Sequence, residues 1–243
     1  MRTRLARLFG IQPPPAPAAP APPGPDYKAA WNEAALAGAE EAILTGATDE
    51  FFERSGQADA DLVGRYLRDT DAVLNIGCGI GRVERYLAPK CRELWAVDVS
   101  GEMIRRATER LAALGNVRLK EVGNREFLAS FSDGQFDLVF SFLVLQHLEK
   151  EDAFLYLRDA ARVLKPGGVL VTKFPNFLSP PYAKAFLDGA AVADRSPGRV
   201  RASTEAEVRQ TIALAGFEIA DFWLGGHGDG SDEIYVAART PRA

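Results

Sequence analysis

The spacing of apolar and polar residues changes repeatedly along the chain, and this alternation predicts an α/β fold. Short apolar runs follow one another from residue 72 onward, and stretches with apolar residues three or four positions apart lie between most of them. Strands that alternate with helices are typical of a mostly parallel sheet with helices on both faces. The seven predicted strands are residues 72–76, 94–98, 117–122, 136–141, 169–173, 217–224 and 233–238.

Helices are predicted around and between these strands, at residues 61–68, 82–87, 102–114 and 151–164. One more helix is predicted before the sixth strand. There, Thr204 and Glu207 have the spacing of a capping box, and Gly216 marks the end of the helix. The 28 residues from Phe174 to Arg201 are long for a connection in a compact domain, which favours a functional insert.

The segments ahead of the sheet have a different character. Residues 1–26 join a basic head to a tract of prolines and alanines, so we expect an extended tether there. Residues 27–59 predict one or two helices that form a helical cover over the main domain, residues 60–243. Four side chains of this cover either pack on the core or shape a ligand pocket: Tyr27, Trp31, Phe52 and Arg54.

Composition narrows the function classes. The chain has 243 residues, 47% of them apolar, and a net charge of -4, so no broad basic surface for nucleic acid is expected. No apolar segment has the length of a membrane span or of a secretory leader. Cys78 and Cys91 show neither a pairing pattern nor metal-ligand spacing, so we expect reduced thiols in a cytoplasmic protein without a metal site.

Glycines occupy alternate positions directly after the first predicted strand, at Gly77, Gly79 and Gly81. Because glycine lacks a Cβ, such a loop can adopt positive φ and bring its backbone close to a nucleotide-like ligand. A purely structural turn uses the same residues. Asp98 ends the second strand, where an acid can accept hydrogen bonds from ribose hydroxyls, although it could also cap the following helix, as Ser100 could.

With this loop, three further segments in order along the chain resemble class I S-adenosylmethionine-dependent methyltransferases. They are residues 97–103 (VDVSGEM), 136–141 (FDLVFS) and 164–168 (LKPGG), and the resemblance covers about residues 60 to 240. It implies S-adenosylmethionine as the methyl donor, S-adenosylhomocysteine as the product, and an antiparallel seventh strand between the fifth and sixth. The implied donor site consists of Asn75, Gly77, Cys78, Gly79, Gly81, Arg82, Asp98, Val99, Met103, Asn124, Ser141 and Phe142.

Two positions depart from the family pattern. Asn75 stands where the family has an acid that helps to hold the methionine amino group, and an Asn side chain offers a neutral acceptor of similar size. Asn124 follows Gly123 where the family usually has Gly-Asp-Ala, and its amide could pair with the adenine edge. Both departures predict weaker donor binding rather than a different fold.

The methyl acceptor is expected outside the carboxyl ends of the fourth, fifth and sixth strands. His147 and His227 are the only histidines and fall in two of these loops, so either is a candidate general base, although His147 could instead cap or pack. Position suggests three substrate contacts, Gln146, Asn176 and Tyr182. Arginines of the predicted insert, such as Arg199 and Arg201, would suit a carboxylate or phosphate.

The predicted function is methyl transfer to an oxygen or nitrogen of a small-molecule acceptor by in-line displacement, without nucleic acid. A binding-only or regulatory protein of the same fold is the first alternative, because of Asn75. A nicotinamide-dependent dehydrogenase is the second, although Gly81 comes one residue early for its usual glycine motif and the turn at residues 165–168 has no role in it. The oligomeric state is not predicted.

Overall fold

The computed structural model describes residues 25–124, 128–194, 196–226 and 232–242. Its strands form one sheet in the order β3-β2-β1-β4-β5-β7-β6. They are β1 (Ala72–Ile76), β2 (Glu93–Asp98), β3 (Val117–Glu121), β4 (Phe136–Ser141), β5 (Leu164–Pro175), β6 (Glu218–Gly226) and β7 (Asp232–Arg239). The first five strands pair in parallel, and β7 is antiparallel to both β5 and β6. The predicted fold class, including the place of the antiparallel strand, is confirmed.

Helices cover both faces of this sheet. They are α1 (Tyr27–Ile43), α2 (Asp49–Gly64), α3 (Glu84–Leu87), α4 (Gly101–Arg110), α5 (Lys150–Val163), α6 (Pro180–Ala191) and α7 (Glu205–Leu214). One apolar cluster joins α5 and α7 to one face, and a second joins α2 and α3 to the other. Within the described ranges, every helix is too short or too polar to span a lipid bilayer.

Side chains alternate between the two faces along β1. Leu74 and Ile76 belong to the cluster under α5 and α7, and Val73 belongs to the cluster under α2 and α3. The same alternation turns Asn75 towards the α2 and α3 face. The strand order reverses between β1 and β4, so a crevice opens at their carboxyl ends.

Several predicted bounds differ from the structure: the strand predicted at residues 169–173 is longer, the helix predicted at residues 102–114 ends at Arg110, and two further segments differ more. Of the helix predicted at residues 61–68, only residues 61–64 are helical, and they form the end of α2, which crosses the predicted boundary at residue 60. Thr48 starts α2 by accepting a hydrogen bond from the Phe51 amide, and two acids follow in its first turn. The predicted connection from Phe174 to Arg201 contains α6, which begins with prolines and has no buried residue, so no buried apolar face marked it as a helix.

Tyr27 fastens α1 to the start of α5. Its side chain is 2% exposed, and its hydroxyl donates to Asp152 Oδ2 and accepts from the Glu149 amide, both at 2.9 Å. Further along α1, Asn32 Oδ1 accepts hydrogen bonds from Ser100 Oγ and from the Glu102 amide at the start of α4. These contacts hold α1 against both helices.

We expect Tyr27→Phe to lower the free energy of unfolding by about 2 kcal/mol, because the buried Asp152 carboxylate and the half-buried Glu149 amide would lose their partner. Urea unfolding measures this change. Tyr66→Phe is the matched control: it removes an exposed hydroxyl that donates to Asp221 and should cost less than about 1 kcal/mol. Equal losses in the two variants would show that burial of the Tyr27 network has no special value.

Candidate functional site

A pocket opens at the carboxyl ends of β1, β2 and β4. Its lining combines many apolar side chains with a few polar groups, which is typical of a small-molecule site. The structure brings together nine of the twelve predicted donor residues in its lining: Asn75, Gly77, Cys78, Gly79, Arg82, Asp98, Val99, Met103 and Phe142.

The glycine loop has the backbone conformation that its sequence predicts. Gly77, Gly79 and Gly81 have φ angles of 79°, 53° and 84°, in the region that side chains with a Cβ rarely adopt. The Gly77 and Cys78 amides both donate to the Val97 carbonyl, at 2.8 and 3.0 Å. A Cβ on Gly79 would lie 2.7 Å from Ile43 Cδ1, so α1 packs directly on the loop.

Asp98 connects β2 to this loop. Its Oδ2 accepts from the Gly79 amide and its Oδ1 from the Ser100 amide, each at 2.9 Å. Burial raises the pKa of Asp98, and these backbone hydrogen bonds oppose that effect. The Val99 amide also hydrogen-bonds this carboxylate. Because a carboxylate has about four lone-pair positions, these amides leave room for a ligand hydroxyl. Ser100 caps α4, through its hydroxyl and the Met103 amide, so Asp98 is not needed for that role.

Arg82 turns its guanidinium away from the loop towards α2. It donates to Asp59 Oδ2 at 2.6 Å and to Ser55 Oγ at 3.0 Å, and it is almost fully buried. This ion pair ties the loop to the helical cover. Burial raises the pKa of the Cys78 thiol well above its ordinary value, so Cys78 packs in the loop as a neutral group.

Asn75 and Glu84 form a buried polar pair behind the loop. Asn75 is 3% exposed and Glu84 is fully buried. Asn75 Nδ2 donates to Glu84 Oε1. Asn75 Oδ1 and Glu84 Oε2 have no hydrogen-bond partner among the described residues, which is costly for buried oxygens. Burial raises the pKa of Glu84 to about 7, against the hydrogen bond from Asn75 and the charge of Arg82.

The other three predicted donor residues lie outside the pocket lining. Gly81 lies at the back of the loop against Leu111. Ser141 uses its hydroxyl to donate to the Ile76 carbonyl at 3.0 Å. Asn124 binds the start of α1, because its Oδ1 accepts from the Lys28 amide at 2.7 Å and its Nδ2 donates to Asp26 at 2.8 Å. Its amide is therefore engaged at both ends by protein groups.

His147 also lies outside this lining, behind Trp31. Its ring is 5.0 Å from the Trp31 ring, and its Nδ1 is 2.8 Å from the Gly198 carbonyl, so Nδ1 carries the proton. The amide of Gln146 lies 3.2 Å from the remaining nitrogen, Nε2. Burial lowers the pKa of His147. Both ring nitrogens are thus occupied by protein groups.

The other acceptor-side candidates are dispersed. Asn176 Oδ1 accepts from the Leu178 amide in the turn before α6. Tyr182 lies 3.3 Å from Glu233, which forms a buried ion pair with Lys173 at 2.8 Å. Neither lines the donor pocket, and His227 lies outside the described residues.

Several pocket residues were not assigned to the donor site from the sequence. Trp31 and Ile43 come from α1, and Tyr156 comes from α5. Leu143 and Val144 follow β4, and Leu143 has a φ of 60°, a conformation that costs about 1–2 kcal/mol in a non-glycine residue. Trp31 had a signal as an aromatic residue of the predicted cover, whereas nothing in the local sequence marks Leu143.

Comparison with known proteins agrees with this geometry. Residues 73–168 match a family model described as a methyltransferase domain. A 2-methyl-6-phytyl-1,4-hydroquinone methyltransferase from Synechocystis is 35% identical over 41% of this chain and 30% of its own length. A ubiquinone biosynthesis O-methyltransferase from Caulobacter vibrioides is 28% identical over 60% of this chain and 66% of its own length. The chain thus covers less than two thirds of either relative.

Solved structures show the same fold over more of the chain. The 1,6-didemethyltoxoflavin-N1-methyltransferase of Burkholderia thailandensis, with bound S-adenosylhomocysteine, aligns with a TM-score of 0.65. The alignment covers 93% of this chain and 94% of that one, at 19% identity. The magnesium protoporphyrin IX methyltransferase of Synechocystis, also with bound S-adenosylhomocysteine, aligns with a TM-score of 0.66. This alignment covers 88% of this chain and 97% of that one, at 19% identity.

The burial of Glu84 leads to a pH-dependent stability. Glu84 keeps its proton in the native state at pH values where the unfolded chain has lost it, so its contribution destabilises the fold as pH rises from about 4.5 to about 7. Gln does not titrate. We therefore expect the unfolding free energy of Glu84→Gln, relative to wild type, to rise by on the order of 3 kcal/mol over this range.

Urea unfolding of both proteins at about pH 5 and about pH 8 measures this difference. Glu109→Gln removes the same charge from an exposed position of α4 and serves as the control. A Glu84→Gln difference that stays constant with pH would contradict the expected titration of this carboxyl.

Proposed function

Because the chain belongs to the class I S-adenosylmethionine-dependent methyltransferases, we propose that it transfers the donor methyl group to an oxygen or nitrogen of a small-molecule acceptor in the cytoplasm. The observation that carries the proposal is the convergence of the left-handed glycine loop and Asp98 on one pocket at the switch point of the sheet. The free thiols of Cys78 and Cys91 are in keeping with a reducing compartment.

The residues present fit the donor. The open lone pairs of Asp98 suit the ribose hydroxyls, and the bare backbone of Gly77 and Gly79 allows close approach. Val99 and Met103 supply an apolar wall. Asn75 Oδ1, buried and without a partner among the described residues, is an acceptor for a ligand N–H.

The chemistry asked of the protein is mainly positioning. S-adenosylmethionine supplies a methyl group that is already electrophilic. In-line displacement then requires that the nucleophile is held behind the methyl carbon, and a well-oriented pair of reactants accounts for much of the rate. The apolar side chains of Ile43, Phe142 and Val144 line this pocket.

The acceptor is proposed to need no histidine base. No histidine in the described part of the chain lines the pocket, and burial raises the pKa of both Tyr156 and Cys78, which do line it. A neutral amine, or a hydroxyl that is itself acidic, such as a phenol, can attack without strong assistance. The relative named as a ubiquinone biosynthesis O-methyltransferase supports an oxygen acceptor.

The donor site is tested by calorimetry with S-adenosylmethionine, S-adenosylhomocysteine and NAD. We expect binding of the two sulfur ligands and none of NAD. Asp98→Asn should weaken S-adenosylhomocysteine binding at least tenfold, because it removes the charged acceptor. Asp137→Asn is the matched control, since Asp137 also accepts a backbone hydrogen bond but lies at the start of β4. If neither S-adenosylmethionine nor S-adenosylhomocysteine binds, the proposed function is wrong.

A transfer assay over a panel of phenols and amines tests the reaction itself and separates an enzyme from a binding-only protein. With an accepted substrate, we expect His147→Ala to lower kcat less than about tenfold, because a general base typically contributes a hundredfold or more. A loss of more than a hundredfold, with S-adenosylhomocysteine affinity unchanged, would instead establish His147 as the base.

A further inference from the structure

We propose that Glu84 is a positioning residue for the methyl donor. From behind Asn75, it fixes the carboxamide so that Asn75 Oδ1 faces the α-ammonium of the donor, and it supplies the negative charge that Asn75 itself lacks. This inference rests on the proposed function, since it concerns how the same pocket holds the donor.

The orientation of Asn75 follows from the chemistry of its partner. An ionised carboxylate can only accept hydrogen bonds, so Glu84 selects the Nδ2 side of the amide, which donates to Glu84 Oε1. Asn75 Oδ1 therefore points away from Glu84. Asn75 lines the pocket whereas Glu84 does not, and Oδ1 is buried without a partner among the described residues. A buried acceptor in this position requires a donor, and a ligand ammonium provides one.

The charge of Glu84 is not paired within the part of the chain that the structure describes. Arg82 is the cation that faces it, and Arg82 is already paired with Asp59 of α2 at 2.6 Å. Asp98 at the end of β2 adds a second negative charge, and Cys78 of the loop stays neutral. Glu84 itself forms no ion pair with any described residue. A buried carboxylate in this state is stabilised when a cation binds nearby.

Protonation of Glu84 would reverse this selection. A protonated carboxyl can donate to an amide oxygen, which allows the Asn75 side chain to flip and to present its NH2 group to the pocket. An NH2 group repels an ammonium. Because burial places the pKa of Glu84 at about 7, the affinity for a ligand that carries an ammonium should rise between about pH 6 and about pH 7.5.

Two ligands separate this role from a general effect on the pocket. S-adenosylhomocysteine carries the amino acid group, and 5′-methylthioadenosine keeps the nucleoside and the sulfur but lacks the amino acid. At about pH 7.5, we expect Glu84→Gln to raise the Kd of S-adenosylhomocysteine about tenfold and to leave the Kd of 5′-methylthioadenosine unchanged. The rise in affinity with pH should disappear in the variant.

Moving the charge gives the second test. In the double variant Asn75→Asp, Glu84→Gln, the carboxylate stands at the pocket wall itself, so S-adenosylhomocysteine affinity should return to within about threefold of wild type. A purely structural role of Glu84 predicts no such recovery. Glu109→Gln controls for the loss of one negative charge, and circular dichroism checks that each variant is folded.

The outcomes distinguish this inference from the proposed function. If the wild-type protein binds neither ligand, the proposed function fails together with the inference. If the wild type binds both ligands and Glu84→Gln weakens neither, or weakens both equally, only the role of Glu84 is overturned. Failure of the double variant to recover affinity would likewise overturn the charge argument.

Discussion

The sheet grows in opposite directions on the two sides of the β1 and β4 pair, and the site depends on this reversal. The connections that leave these two strands turn to opposite faces, so their carboxyl ends stay uncovered by backbone. The glycine loop leaves one strand there and the segment from Phe142 to Val144 leaves the other. Their side chains and backbone meet at the crevice, where a Cβ on Gly77 would lie 2.1 Å from Val144 Cγ2.

Glu84 illustrates how a site can act against the stability of its own fold. A fully buried carboxyl whose pKa rises to about 7 destabilises the native state at neutral pH. In addition, two of the four polar atoms in the Asn75 and Glu84 side chains lack a hydrogen-bond partner in the part of the chain that the structure describes. An apolar pair of similar size would pack there without this penalty. Polar groups that reduce stability in this way are found where a ligand completes the arrangement.

The sequence predicted the centre of the sheet well because β1 and β4 are buried apolar runs, as at Ala72–Ile76. It predicted the glycine loop because its residues need positive φ. The sequence did not predict α6, because this helix has no buried residue, and it did not predict the bounds of α2. Within the pocket, backbone-driven positions such as Gly79 and Asp98 were found. The sequence does not show where side chains point. It therefore could not reveal that Asn124 binds Asp26 or that Arg82 binds Asp59.

The two hydrogen bonds that Asp98 accepts from the Gly79 and Ser100 amides give the loop its shape before any ligand arrives. The conformational entropy of this segment is therefore lost when the chain folds and not when a ligand binds. Such preorganisation leaves more of the interaction energy available for affinity. It also means that the loop needs no disorder-to-order transition on binding, so a ligand at this end of the pocket binds to a preformed site.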